Sequence, residues 1–142
     1  MYHHKTLATH LSLTPDEVIQ SIIALGYAES KRDALGILLH TFVRRKKLAE
    51  IASPLLLNGP PWLKTALEAV RLAPSAVNLQ PWHFDGTPQR VALRATRRAA
   101  FTAIDLGIAM AHFALAAENS GMRGAWQQEG NTLVFLPAEN PR

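Results

Sequence analysis

Ala73-Pro74-Ser75-Ala76-Val77-Asn78-Leu79-Gln80-Pro81-Trp82 leaves a helix, turns through small residues and ends on a rigid Pro-Trp pair. The small side chains of Ser75 and Ala76 let something flat lie close to the backbone. Asn78 and Gln80 carry both donors and acceptors, the combination that the edge of a heteroaromatic ring requires. The same residues also describe a helix end followed by a polar loop, with the two amides satisfying nearby backbone groups. Composition alone favours that plainer description.

Working outward, Pro61 to Ala73 reads as an amphipathic helix with Leu63, Ala66, Leu67, Val70 and Ala73 on one face. Lys64, Glu68 and Arg71 point away from that face, and Pro74 ends the helix. Downstream, Trp82-His83-Phe84 and Val91-Ala92-Leu93 suggest two short strands around Asp85-Gly86. Thr102, with Asp105 three residues on, resembles a capping box that opens a helix from Ala103 to Asn119. Asp105 is expected to serve the positive end of that helix, and Gly121 ends it. The helix is apolar on nearly every side, which places it centrally or at a subunit interface. Trp126-Gln127-Gln128 and Thr132 to Leu136 flank Glu129-Gly130-Asn131 as a final hairpin.

The segment before residue 61 is less decided. Thr14-Pro15-Asp16-Glu17 has the chemistry of a helix start, whereas Val18 to Leu25 is β-branched and ends on Gly26, favouring a strand. Glu29 to about Val43 is helical in pattern through Leu35, Leu38, Leu39 and Phe42, and Arg44-Arg45-Lys46-Lys47 follows as the densest positive cluster. A loop containing Ser53-Pro54 and Asn58-Gly59-Pro60-Pro61 comes next. It is not read as a linker, because neither side alone could bury an adequate core. Helices and strands mix without βαβ alternation, which gives the α+β class. The expected organisation is one domain over residues 1–142, with an N-terminal strand, helix and basic segment over 1–53 and a core region over 61–136.

Bulk properties narrow the function classes. The 142 residues are 48% hydrophobic and 18% charged, which argues against disorder. There is no cysteine, which removes disulfides, thiolate metal sites, Fe–S ligation and a Cys nucleophile, and fits a reducing cytosol. The net charge of +4 suits phosphate-bearing ligands without requiring them. Met1 to Lys5 does not continue into the apolar run of a secretory signal, so a cytoplasmic location is expected. Ala99 to Ala117 is interrupted by Asp105 and His112, and an ionised Asp near the centre of a membrane span costs about 2.5–3.5 kcal/mol. It reads as a buried helix rather than a span.

The run from Ala73 to Trp82 resembles the signature of the FMN-dependent nitroreductase family, A-P-S-[SA]-x-N-x-Q-P-W, with Ala73, Pro74, Ser75, Ala76, Asn78, Gln80, Pro81 and Trp82 in place. Ile104-Asp105-Leu106-Gly107-Ile108-Ala109 and Gly121-Met122-Arg123-Gly124-Ala125-Trp126 resemble that family's long central helix and the strand after it. His112-Phe113 points towards the subgroup whose chain holds two related halves, and this chain resembles the C-terminal half. Leu25-Gly26-Tyr27 and Arg45-Lys46 resemble the middle of such a chain.

The resemblance implies a sandwich of helices around a mainly antiparallel sheet, completed by homodimerisation or by a missing half-chain, with FMN between subunits. It implies that Pro74, Ser75 and Ala76 pack along the isoalloxazine and that Asn78 hydrogen-bonds near it. Gln80 would contact the cofactor region mainly by fixing the loop, together with Pro81 and Trp82. Arg44, Arg45 and Lys46 stand where the family's phosphate-gripping arginines are expected, although the serine of that pattern is missing. Charge-assisted bonds to phosphate and a solvated basic turn both fit them. The implied chemistry passes hydride from NADH or NADPH through flavin to a nitro-aromatic or quinone-like acceptor. The flavin carries the redox step, so no catalytic side chain is nominated.

Other candidates are weaker. His3, His4 and His10 lack a second ligand pair at metal spacing. Asp105 and His112 lie two helical turns apart, about 10.5 Å along the axis, too far for an acid–base pair. A non-catalytic flavin-binding half-protein is the first alternative. The second is a nucleic-acid binder using Arg44 to Lys47, Arg94, Arg97 and Arg98, which lacks aromatic platforms.

Overall fold

Alternating burial along Trp82-His83-Phe84 and Val91-Ala92-Leu93 sets which face of the sheet meets the core. The computed structural model describes residues 44–138 and, ahead of them, residues 9–11, 13–14, 16–17, 19 and 25–26. The chain divides into two compact units, Met1–Ile37 and Leu38–Arg142. In the first, residues 9–11 are helical. Glu17 N–H donates to the Thr14 carbonyl at 3.1 Å, and Thr14 N–H to Glu17 Oε2 at 2.8 Å. The strand expected over residues 18–25, apart from Ile19 and Leu25, and the helix expected over 29–43 fall outside the described residues.

The second unit runs α1 (Leu48–Ile51), α2 (Pro54–Leu57), α3 (Pro61–Leu72), a 3₁₀ turn (Ala76–Asn78), β1 (Trp82–Thr87), β2 (Arg90–Ala95), α4 (Thr102–Asn119), β3 (Gly124–Glu129) and β4 (Thr132–Pro137). Its four strands form one antiparallel sheet in the order β1-β2-β4-β3. Phe84 pairs with Leu93, Val91 with Phe135, and Phe135 with Trp126. This is an α+β protein.

Two expectations about local structure change. The loop expected to contain Ser53-Pro54 and Asn58-Gly59-Pro60-Pro61 is interrupted by the single-turn helix α2, with α1 just ahead of it, because Ile51 and Leu56 are fully buried and draw those turns into the core. The Asp85-Gly86 pair does not turn the first hairpin; the strand runs through it and the chain reverses at Pro88-Gln89. Gly86 sits at φ +106°, and a Cβ there would meet the Arg90 carbonyl oxygen at 2.3 Å, so only glycine lets β1 continue. Beside it, Asp85 accepts the Gly86 N–H at 2.8 Å and pairs with Arg94 at 3.0 Å. The Gly86 bond foremost holds the Asp85 carboxyl below the ordinary carboxylate range.

The core lies between the sheet and the two long helices. α3 buries Leu63, Ala66, Leu67 and Val70, the face that its spacing predicts. α4 buries Thr102, Asp105, Ala109, Phe113 and Ala117, a stripe at three- and four-residue steps. Phe113 stands at the centre of an aromatic cluster. Its ring stacks on Phe84 at 5.4 Å and meets Phe135 at 5.0 Å, Trp126 at 5.5 Å and Trp62 at 6.3 Å, edge to face. Trp126 Nε1 donates to the Met110 carbonyl at 3.0 Å, tying β3 to α4. A Cβ on Gly124 would meet Phe135 Cζ at 2.5 Å, so β3 enters the sheet across the edge of that ring.

Candidate functional site

Pro74 decides where α3 stops. It has no N–H to donate and forces Ala73 into extended backbone, φ −60° and ψ 139°. Ser75 is also extended, and the chain then winds into the 3₁₀ turn over Ala76–Asn78. Inside this turn the backbone enters the left-handed region at Val77 (φ 44°) and Asn78 (φ 55°), and again at Gln80 (φ 46°). Each such residue costs about 1–2 kcal/mol against the right-handed alternative, least for Asn. A loop this strained persists only where its surroundings over-determine it.

Those surroundings are polar. Arg45 Nη1 donates to the Ala73 carbonyl at 2.7 Å and to Asn78 Oδ1 at 3.2 Å. The first bond satisfies a carbonyl that α3 leaves unpaired at its end. Lys46 Nζ donates to the Gln80 carbonyl at 2.8 Å, and Lys46 N–H to Gln80 Oε1 at 2.8 Å. The Arg44 carbonyl accepts from Asn78 Nδ2 at 3.0 Å and from Gln80 Nε2 at 3.1 Å. Gln80 N–H donates to Ser75 Oγ at 2.8 Å, and Ala76 N–H to Asp105 Oδ1 at 2.8 Å. Hydrogen bonds to charged groups are worth about 1.5–3 kcal/mol each, so those from Arg45 and Lys46 alone rival the backbone strain.

Pro81 and Trp82 anchor the exit. Thr96 N–H donates to the Pro81 carbonyl at 2.9 Å, and Trp82 is fully buried. Its Nε1 has no partner among the described residues. Burying an indole removes about 200 Å² from water, worth roughly 5 kcal/mol, which outweighs the 1–3 kcal/mol of one unpaired donor.

Arg44, Arg45, Lys46, Asn78 and Gln80 thus meet at one place, with Ser75 and Ala76 on the same loop. Gln80, 2% exposed, has its side-chain amide bonded to protein at both ends. Pro74 is exposed, and Val77 stands 89% exposed at the tip. The N–H groups of Ser75 and Val77 have no partner among the described residues, nor does the exposed Arg44 side chain.

The expected capping box on α4 is not formed. The helix starts one residue earlier than that box requires, with Phe101 at the N-cap position. Thr102 Oγ1 instead accepts the Ala99 N–H at 2.8 Å, and Asp105 reaches across to Ala76. Asp105 is the site residue whose role sequence reasoning missed. A signal existed, since a carboxylate inside an otherwise apolar helix must find a partner when buried.

His3 and His4 fall outside the described residues, among which no cluster of His, Asp and Glu could hold a metal ion. Among the same residues no helix is long and apolar enough to cross a membrane. Arg94 is paired with Asp85 and Arg90 with Glu129, so these cations are partly neutralised.

Residues 2–117 match a protein-family model described as "Putative TM nitroreductase". The fold is similar to the crystal structure of a putative nitroreductase from Thermotoga maritima MSB8, with a TM-score of 0.56 and 27% identity. The match covers 66% of this chain and 42% of that one, so this chain corresponds to less than half of the relative's length. No curated protein matches it.

Proposed function

We propose a flavin-dependent reductase role for this chain, which belongs to the putative TM nitroreductase family. The observation that carries the proposal is the loop from Pro74 to Gln80: left-handed at three non-glycine residues, clamped from behind, and exposed in front. Its chemistry fits FMN. Ser75 and Ala76 present little side-chain bulk to a flat ring, and the N–H groups of Ser75 and Val77 are available as donors. Asn78 Nδ2 spends one of its two hydrogens on the Arg44 carbonyl and has the other left to donate, while its Oδ1 accepts from Arg45 and Gln80. In this reading Pro74, Ser75, Ala76 and Asn78 line the cofactor, while Gln80, Arg45 and Lys46 keep the loop in shape. Arg44 is the side chain of the basic tract best placed to meet a phosphate, being exposed and unpaired among the described residues.

FMN, when bound, supplies the hydride chemistry between NADH or NADPH and a nitro-aromatic or quinone-like acceptor. The chain's part is to bind, to orient and to keep water from one ring face. A second copy completes the site. α4 turns Ile104 (38% exposed) and Leu115 (63% exposed) outward, and nothing lies within 4 Å of a Cβ built on Gly107. Small residues on such a face let helices approach closely.

The full chain, reconstituted with FMN without oxygen, should lose the flavin's visible absorbance on adding NADPH or NADH. It should regain it on adding a nitro-aromatic or a quinone, and sediment as a dimer. A chain that takes up no FMN would overturn the proposal. One observation favours a second reading, a flavin-binding module without turnover: the chain corresponds to only 42% of its structural relative. Bound flavin that neither nicotinamide bleaches would select it.

A further inference from the structure

We propose that Asp105 is a positioning residue that holds the flavin-facing loop in its left-handed conformation; the inference rests on the reading of that loop given above. Asp105 is 2% exposed in the first turn of α4, inside a helix whose other buried residues are Thr102, Ala109, Phe113 and Ala117. It takes part in none of the ion pairs among the described residues. Its carboxylate accepts the Ala76 N–H through Oδ1 at 2.8 Å, across 29 positions of sequence. A buried carboxylate with one main-chain donor and no cation is an expensive group to keep for stability alone.

The place of that bond gives it a purpose. Ala76 opens the 3₁₀ turn, and Val77, at φ 44°, follows it directly. A β-branched residue resists the left-handed region, so the turn is weakest where Val77 enters it. The clamps from Arg44, Arg45 and Lys46 grip the loop at Ala73, Asn78 and Gln80. Asp105 is the contact made from the α4 side, and through the Ala76 N–H it fixes the Ser75–Ala76 peptide, at the entry to the turn that holds the strained Val77. It thereby steadies the approach to Val77, whose N–H has no partner among the described residues and whose side chain is exposed. Asp105 is not a cofactor contact; it acts through Ala76 and the turn that Ala76 opens.

The test compares wild type, Asp105→Asn and Asp105→Ala by amide hydrogen exchange and by FMN titration of the full chain. Asp105→Ala should raise exchange of the hydrogen-bonded Ala76 and Asn78 amides selectively and weaken FMN binding about tenfold or more, the factor set by losing one charge-assisted hydrogen bond. Asp105→Asn keeps an acceptor of the same shape and should fall between the two. The Val91, Leu93 and Val134 amides should keep their protection in all three, showing that the sheet is intact. Unchanged exchange at Ala76 and Asn78, or an equal rise throughout the sheet, would overturn the inference. So would raised loop exchange with FMN affinity unaltered. A wild type that binds no FMN would instead overturn the flavin reading, while the exchange comparison still decides whether Asp105 holds the loop.

Discussion

Phe113→Ala should be the most damaging single truncation in the second unit, lowering stability by about 3–5 kcal/mol. The ring touches Phe84 on β1, Trp126 on β3, Phe135 on β4 and Trp62 on α3, so its removal opens a void where four elements meet. Neighbours of that size cannot collapse into the space without leaving their own contacts, which puts the loss at the upper part of the usual range. A domain typically has only about 5–15 kcal/mol in total. In urea the midpoint should fall sharply with little change in slope, and the thermal midpoint should drop by roughly 10–20 °C. Phe113→Leu keeps most of the volume and should lose less than about 2 kcal/mol. A thermal midpoint within a few degrees of wild type for the Ala variant would show that this cluster does not hold the sheet to α4.

Gln80→Ala should abolish measurable FMN binding while leaving the chain folded. The amide accepts from Lys46 N–H and donates to the Arg44 carbonyl and to Asn78, all in a part-buried setting. Removing it leaves the part-buried Lys46 N–H without its acceptor, at about 1–3 kcal/mol, and takes donors away from the Arg44 carbonyl and Asn78. The total should be near 2–4 kcal/mol, concentrated in a loop that already carries three left-handed residues. Gln80→Gly separates the two contributions. It relieves the backbone at φ 46° but still lacks the amide, so it should be more stable than the Ala variant and bind FMN no better. FMN affinity restored by glycine would mean that backbone conformation alone, and not the amide network, prepares the loop.

Much of this fold can be read from residue pattern, and the exceptions have physical causes. The α3 face from Leu63 to Val70 and the hairpin around Gly130-Asn131 follow from periodicity and turn chemistry. The helices at Leu48–Ile51 and Pro54–Leu57 do not, because a single turn is too short to form on propensity and exists only through the burial of Ile51 and Leu56. Asp85-Gly86 looks like a hairpin turn, yet the positive φ of Gly86 is used inside a strand. At the site, the motif from Ala73 to Trp82 was legible as a motif. Its support was not. The bonds from Arg45, Lys46 and Asp105 join residues 28 to 34 positions apart, and a local pattern holds no record of such partners. The basic tract read as a phosphate grip or a solvated turn, and in the structure Arg45 and Lys46 are engaged with the loop itself.

The most direct test is to follow the backbone amide resonances of the full chain as FMN is added. The signals of Ser75, Ala76, Val77 and Asn78 should move saturably, with the hairpin tip at Gly130 unmoved as an internal control. Resonances that stay fixed between Pro74 and Trp82 while FMN binds elsewhere, or while it fails to bind, would contradict it.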